Sequence, residues 1–313
     1  MACLIRFMLH TPVNVRGRML DYIKASLNEL EEEVGDSIQL FTPHDPEYSS
    51  DCTEEWLTPS IEKGIMPDVI VTHATEFASL KEEERSRLFS GLAGRYAKLN
   101  PIREEMSRLC DPQGIFYPIS VTPLAMIYNT EKVNAEDLNG SWTDLFNDKY
   151  SVIFPDRDKP LCRAVGSYLK ANYPDQFAKF EEKVVYDGSP ANMLRLVAFG
   201  QYDMAMTLLS FASIAQQDRV KINKAKEGYI PLPQLIVWKQ GVSERLSVLA
   251  DMLTGSEMQA YLAEQDTWTV NENIPLSGTS QEMKQLTEWK GWNFYLEAVD
   301  AFDKYGSRDE KGE

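Results

Sequence analysis

The sequence predicts an α/β protein built on an open, mainly parallel sheet, and three observations predict it. Short apolar runs alternate with stretches of 3.6-residue apolar period through the first hundred residues. All 3 histidines stand at or just beyond the end of one of those early runs. At 313 residues, with 43% hydrophobic and 26% charged residues, the chain has the size of about two ordinary domains and the make-up of a globular protein.

The first strand is expected over Ala2 to Leu9, stopping at His10. After Thr11-Pro12, apolar residues at Met19, Leu20, Ile23, Leu27, Leu30 and Val34 mark one face of a helix that Gly35 closes. A second strand starts at Ser37 and is expected to run through Thr42-Pro43 to His44. A polar loop to Cys52 and a short helix around Trp56 and Ile61 lead to a third strand, Asp68 to Val71, ending at Thr72-His73. Ser79-Leu80-Lys81-Glu82 has capping-box spacing before a charged helix. This succession is that of a doubly wound sheet, in which the first and third strands are neighbours and ligands bind beyond the strand carboxyl ends.

A second block opens near Tyr117 with extended structure through Asn129, broken at Pro123. Ser141-Trp142-Thr143-Asp144 reads as a capped helix start, Ser151 to Phe154 as a strand, Leu161 to Leu169 and Pro190 to Phe199 as helices, and Met204 to Leu208 as a buried strand. Tyr229 to Trp238 is extended. Helical patterns over Glu244 to Leu253, Ser256 to Leu262 and Ser280 to Tyr305 close the chain, with capping-box spacing at Thr254 and Thr279.

Composition excludes several classes. A formal net charge of −16 opposes a nucleic-acid partner, which needs a basic face to neutralise phosphates. No apolar run approaches the ~20 residues of a membrane span. The 4 cysteines (Cys3, Cys52, Cys110 and Cys162) form no C-x-x-C pair and suit reduced thiols rather than a disulfide framework. The chain as written starts without a signal peptide, so its expected location is cytoplasmic, or extracytoplasmic where a signal has been removed. G-x-S-x-G, P-loop and G-x-G-x-x-G signatures are all missing.

Three stretches carry a family resemblance. One runs Pro123-Leu124-Ala125-Met126-Ile127-Tyr128-Asn129-Thr130-Glu131-Lys132-Val133, then Ser141-Trp142-Thr143-Asp144-Leu145, Asp148-Lys149-Tyr150 and Ile153-Phe154-Pro155-Asp156. Another is Phe199-Gly200-Gln201-Tyr202-Asp203-Met204-Ala205. The last comprises Ile230-Pro231-Leu232, Trp238-Lys239-Gln240-Gly241 and Ala250 to Gln259. In this order they resemble the bilobed, type 2 solute-binding proteins of bacterial ABC importers, the class of iron, thiamine and polyamine binders. Met1 to Asp111 fits by architecture more than by motif.

The resemblance implies two doubly wound α/β lobes joined by two crossing segments, the periplasmic-binding-protein type 2 fold. Lobe 1 would comprise 1–116 plus 231–313, and lobe 2 would comprise 117–230. It further implies a ligand held between lobes that close on it, an ABC permease as partner, a monomer, and no chemistry on the ligand. One departure bears on ligand identity. The family's ferric-ion binders carry adjacent tyrosines shortly after the Gly-x-x-Asp strand, whereas this chain has Leu208-Leu209-Ser210-Phe211, which argues against free ferric ion.

His10 and His73 end strands expected to lie ~4.8 Å apart, so their imidazoles are candidates to converge. A site of His10, His44 and His73 would suit a divalent transition metal such as Ni, Zn, Co or Cu, bound as ligand and not as resident cofactor. The plainer reading is a set of polar residues hydrogen-bonded at strand ends, and an organic or anionic ligand fits as well. Thr11, Asn14, Thr72 and Thr75 flank the histidines as ligand donors or simple helix caps. Thr122 would stand on the first crossing segment. Arg157 and Arg163 are candidates for a bidentate clamp on a carboxylate or phosphate, or for ordinary ion pairs. Ser210 is placed by the resemblance alone. Cys162, near a helix start, is either a soft ligand with a depressed pKa or a buried structural thiol. Trp142, Trp238, Trp289 and Trp292 read as core.

The expected function is therefore capture of a small polar ligand (a metal ion, a metal chelate or a small anion or carboxylate) for an ABC importer. A cytosolic carrier or sensor on the same fold is the alternative. A metal-dependent enzyme with Glu76 as base is the remote one.

Overall fold

The computed structural model describes residues 4–48, 55–214 and 219–306. Cys3, Cys52 and the tail from Ser307 lie outside the described residues. The chain forms two compact units: Met1–Val121 with Pro233–Ser280 and Gly291–Asn293, and Thr122–Leu232 with Gln281–Lys290 and Phe294–Glu313.

The first unit begins with β1 (Leu4–Leu9), α1 (Val13–Val34), β2 (Ser37–Phe41), α2 (Leu57–Glu62), β3 (Val69–His73), α3 (Glu82–Leu88) and α4 (Leu92–Leu99). β1 pairs in parallel with β2 on one side and β3 on the other, as the doubly wound pattern predicts. α1 buries Val15, Met19, Ile23, Leu30 and Val34 on one stripe. It ends at Gly35, whose φ of 83° lets its N–H reach Glu31 O at 2.8 Å. α3 is not capped at Ser79. It starts after Lys81, whose N–H donates to Glu84 at 3.0 Å, while Ser79 bonds Thr58.

β4 (Tyr117–Asn129), buried throughout, carries the chain into the second unit between Val121 and Thr122. There follow β5 (Val152–Phe154), α5 (Pro160–Asn172), α6 (Pro174–Glu181), β6 (Val185–Tyr186), α7 (Pro190–Ala198), β7 (Met204–Leu208), α8 (Leu209–Ile214) and β8 (Val220–Asn223). β5 is parallel to β6 and β7, whereas β4 runs antiparallel to β7 and β8. Ser141 and Asp144 form the expected capping box: Ser141 Oγ accepts from the Thr143 N–H and Asp144 Oδ2 from the Ser141 N–H.

β9 (Ile230–Trp238) returns the chain to the first unit at Pro233 and lies antiparallel on β3, with Val69 opposite Trp238 and His73 opposite Gln234. Strand pairing is thus mixed, a correction to the parallel expectation. The strands that carry the chain between units, β4 and β9, are the ones that run against their neighbours. α9 (Val248–Thr254), α10 (Ser256–Glu264) and β10 (Trp268–Thr269) complete the first unit, and α11 is Trp292–Gly306.

Three expectations fail at the C-terminus. The helix predicted over Ser280 to Tyr305 is a 3-10 stretch, Gly278–Gln285, separated from α11 by Gly291 at φ 92°. Thr279 does not open a capping box, because its N–H and hydroxyl both donate to Asp266 Oδ1. Residues 294–306 fall with the second unit and not with lobe 1. The cause is packing: Phe302 is fully buried in the core of Leu161, Val165, Leu169 and Phe177, and Asp303 pairs with Arg163.

Candidate functional site

The carboxyl ends of β1 and β3 gather most of the predicted site. His10 extends the β1 ladder by one residue, its N–H donating to Val71 O at 2.8 Å. His10, Thr11, Thr72, His73 and Thr75 are all buried. The His10 and His73 rings meet edge to face, centroids 5.4 Å apart at 84°. The turn Ala74–Phe77 that follows β3 is wholly buried and includes Glu76.

His44 does not join them. β2 ends at Phe41 and not at His44, because Asp45 Oδ2 accepts from the Thr42 N–H at 2.6 Å and hydroxyl at 2.9 Å, turning the chain. His44 is left exposed, with Nε2 3.3 Å from the guanidinium of Arg16. Among the described residues no group of three His, Cys, Asp or Glu side chains is placed to hold a metal ion.

Three side chains not singled out as candidates in the sequence contact these residues. Trp56, fully buried just before α2, donates its indole N–H to His10 Nδ1 at 3.2 Å; Thr72 Oγ1 lies 3.1 Å from the same atom. Gln234, opposite His73 on β9, donates Nε2–H to His10 O at 2.7 Å. Arg16, in the first turn of α1, donates from Nε and Nη2 to Thr11 O at 3.2 and 3.0 Å. Only Arg16 had a signal in the sequence, as a cation in a first helical turn that contains no acid.

Thr11 Oγ1, Thr75 Oγ1 and Gln234 Oε1 are buried and have no hydrogen-bond partner among the described residues. Each such atom costs about 1–3 kcal/mol when left unsatisfied. All three belong to segments that adjoin or face the carboxyl ends of β1 and β3.

The remaining candidates are placed otherwise. Asn14 is half-buried and its carbonyl accepts from the Tyr261 hydroxyl at 3.2 Å. Thr122 and Ser210 are buried in the second unit, on β4 and in the first turn of α8. Arg157 is not a free clamp: it pairs with Glu181, donates to Phe302 O at 3.2 Å and stacks 4.1 Å over the Phe302 ring. Arg163 commits its fork to Asp303, at 3.0 Å from Nε and 2.7 Å from Nη2. Burial pushes the Cys162 thiol up, not down, so it is a structural thiol. Trp142 and Trp238 are core residues whose indoles donate to Gly228 O and Leu246 O.

Comparison with known proteins gives a consistent picture. Residues 65–298 match the family model described as bacterial extracellular solute-binding protein. The ferric binding protein of Campylobacter jejuni superposes with a TM-score of 0.73 at 13% identity, over 98% of this chain and 99% of that one. The Trichodesmium protein IdiA (FutA), solved with iron and citrate, gives 0.69 at 14% identity over 98% and 99%. The spermidine/putrescine ABC transporter substrate-binding protein PotD of Streptococcus pneumoniae gives 0.59 at 16% over 97% and 99%. At these identities the likeness shows the fold, the type 2 periplasmic-binding-protein architecture. The search of curated proteins gives no match.

Proposed function

Because the chain belongs to the bacterial extracellular solute-binding protein family, we propose that it captures its solute at the ends of β1 and β3 and delivers it to an ABC permease outside the cytoplasmic membrane. The observation that supports this placement is that Thr11 Oγ1, Thr75 Oγ1 and Gln234 Oε1, on the segments that carry, follow or face His10 and His73, are buried and have no hydrogen-bond partner among the described residues. Ligand oxygens and hydrogens would satisfy these atoms, turning a cost of the empty site into affinity.

Binding without chemistry is the reading these side chains favour. Arg157 and Arg163 are committed to ion pairs, and burial keeps the Cys162 thiol protonated and inert. Iron, iron with citrate and polyamines are named for the structural neighbours. For this chain the class of a small polar solute, free or as a metal chelate, agrees with the buried polar lining.

Thermal unfolding across a panel of ferric and divalent ions, metal chelates, oxyanions, carboxylates and polyamines tests the proposal. A ligand at ~100 times its Kd adds about 2.7 kcal/mol of stability. The expected result is a shift for one class, abolished in His10→Ala/His73→Ala. A shift that survives unchanged in that variant would move the site elsewhere.

A further inference from the structure

Resting on that reading of the site, we infer that the bound solute is an oxyanion, carboxylate or tetrahedral, that also carries a hydrogen-bond donor, and that a bare metal ion is not bound through His10.

The first reason is the tautomer of His10. An indole N–H can only donate, so Nδ1 of His10 accepts from Trp56 at 3.2 Å. The proton of the neutral ring is therefore on Nε2, which makes that edge a donor. A histidine that ligates a metal through Nε2 needs the opposite arrangement, with Nδ1–H donated to a carbonyl or carboxylate. Here moving the proton to Nδ1 would set it against the Trp56 N–H.

The second reason is the start of α1 beside Thr11. α1 opens with Pro12 at its N-cap, no side-chain cap and no acidic residue in its first turn. The first amides bonded within that turn are those of Val15 and Arg16, both to Pro12 O, so the Val13 and Asn14 amides have no partner among the described residues. The helix dipole adds partial positive charge there. Arg16 lies in the same turn, held by Thr11 O, and has no acidic partner among the described residues. In a chain with 48 acidic and 32 basic residues, a half-buried arginine left without a carboxylate stands out. Thr11 immediately precedes this turn, and its unsatisfied hydroxyl is 1% exposed.

The third reason concerns the donor on the solute. Gln234 Nε2 is committed to His10 O at 2.7 Å, which fixes the amide orientation and leaves Oε1 as an unsatisfied buried acceptor. A fully deprotonated anion cannot serve it, whereas a hydroxyl or protonated oxygen can. The two sources of this chemistry are a free oxyacid and the outer oxygens of a metal–hydroxycarboxylate chelate.

Calorimetric titration at neutral pH with phosphate against sulfate, and citrate against tricarballylate, tests the inference. The citrate pair is run with and without ferric ion to separate free acid from chelate. The expected result is binding of the member of a pair that carries the extra O–H, weakened about tenfold or more in Arg16→Gln, whose loss removes charge-assisted hydrogen bonds. The ligand-free unfolding temperature of the variant is measured alongside, because Arg16 also donates to Thr11 O; a loss of affinity with binding-competent, folded protein supports the inference. Gln234→Leu should erase the preference within a pair.

Saturable binding of zinc, nickel or ferric ion alone, lost in His10→Ala and unaffected by Arg16→Gln, would overturn the anion inference and leave the solute-binding reading standing. Equal affinity within both pairs would overturn the donor requirement. No heat from any of the four anions at millimolar concentration would also overturn the inference. The solute-binding reading fails separately, when the wider panel of ions and polyamines also leaves the unfolding temperature unmoved.

Discussion

The indole N–H of Trp56 meets Nδ1 of His10 at 3.2 Å, across 46 residues of chain. This one contact orients the imidazole and selects its tautomer. Replacing Trp56 with Phe removes the donor and frees Nδ1 to carry the proton. The expected outcome is a gain of zinc or nickel binding at His10, read as a metal-dependent rise in unfolding temperature that the parent protein lacks.

Thr75 has a fully buried hydroxyl with no partner among the described residues. Thr75→Val keeps the shape and removes the unsatisfied oxygen. In a site prepared for a ligand, this variant should be more stable when empty, by about 1 kcal/mol in urea unfolding, and should respond less to ligand. A loss of stability in the empty protein would show that the hydroxyl is satisfied within the fold.

Arg163 and Asp303 join α5 to α11 through two hydrogen bonds of 3.0 and 2.7 Å, with side-chain exposures of 10% and 31%. Arg163→Met should cost about 2 kcal/mol, below the 3–5 kcal/mol of a fully buried pair because Asp303 is partly solvated. Ligand affinity should not change. A selective loss of affinity would return Arg163 to the binding residues.

Gly166 of α5 faces Phe302 so closely that a Cβ would stand 2.2 Å from its ring. Glycine to alanine in a helix interior normally stabilises by about 0.5–1 kcal/mol. Here the overlap should reverse the sign, with a net loss of about 1–3 kcal/mol in urea unfolding. Phe302→Leu in the same chain should recover part of it.

Glu282 gives a pH signature. Burial pushes its carboxyl up, but hydrogen bonds from Lys224 Nζ at 2.6 Å and the Tyr229 hydroxyl at 2.5 Å outweigh this and hold it below the ordinary carboxylate value of 4.5. A carboxyl depressed in the folded state stabilises above its unfolded pKa, and that stability is lost as pH falls through the folded value. Glu282→Gln should therefore be less stable than the parent at pH 7, the gap closing below pH 4.5. A gap that persists unchanged into acid would show that the carboxylate charge is not what matters there.

What the sequence by itself determined was local and periodic. The 3.6-residue stripe from Val15 to Val34 and its closure at Gly35 specify α1. The apolar run through Leu9 and that before His73 specify β1 and β3, whose adjacency follows from the winding rule of α/β sheets. From these, the meeting of His10 and His73 was legible. His44 was not, because the Asp45 side chain ends β2 three residues early through a contact that spacing does not record.

Tertiary structure decided everything that depends on partners remote in sequence. Gln234 reaches His10 across 224 residues, and α11 joins the second unit because Phe302 fills a core made by α5 and α6. The same cause took Arg157 and Arg163 out of the candidate site, since carboxylates far along the chain claimed them. A side chain's chemistry is set by its residue type. Whether that chemistry is spent within the fold or left for a ligand depends on contacts across the chain, and local pattern does not encode them.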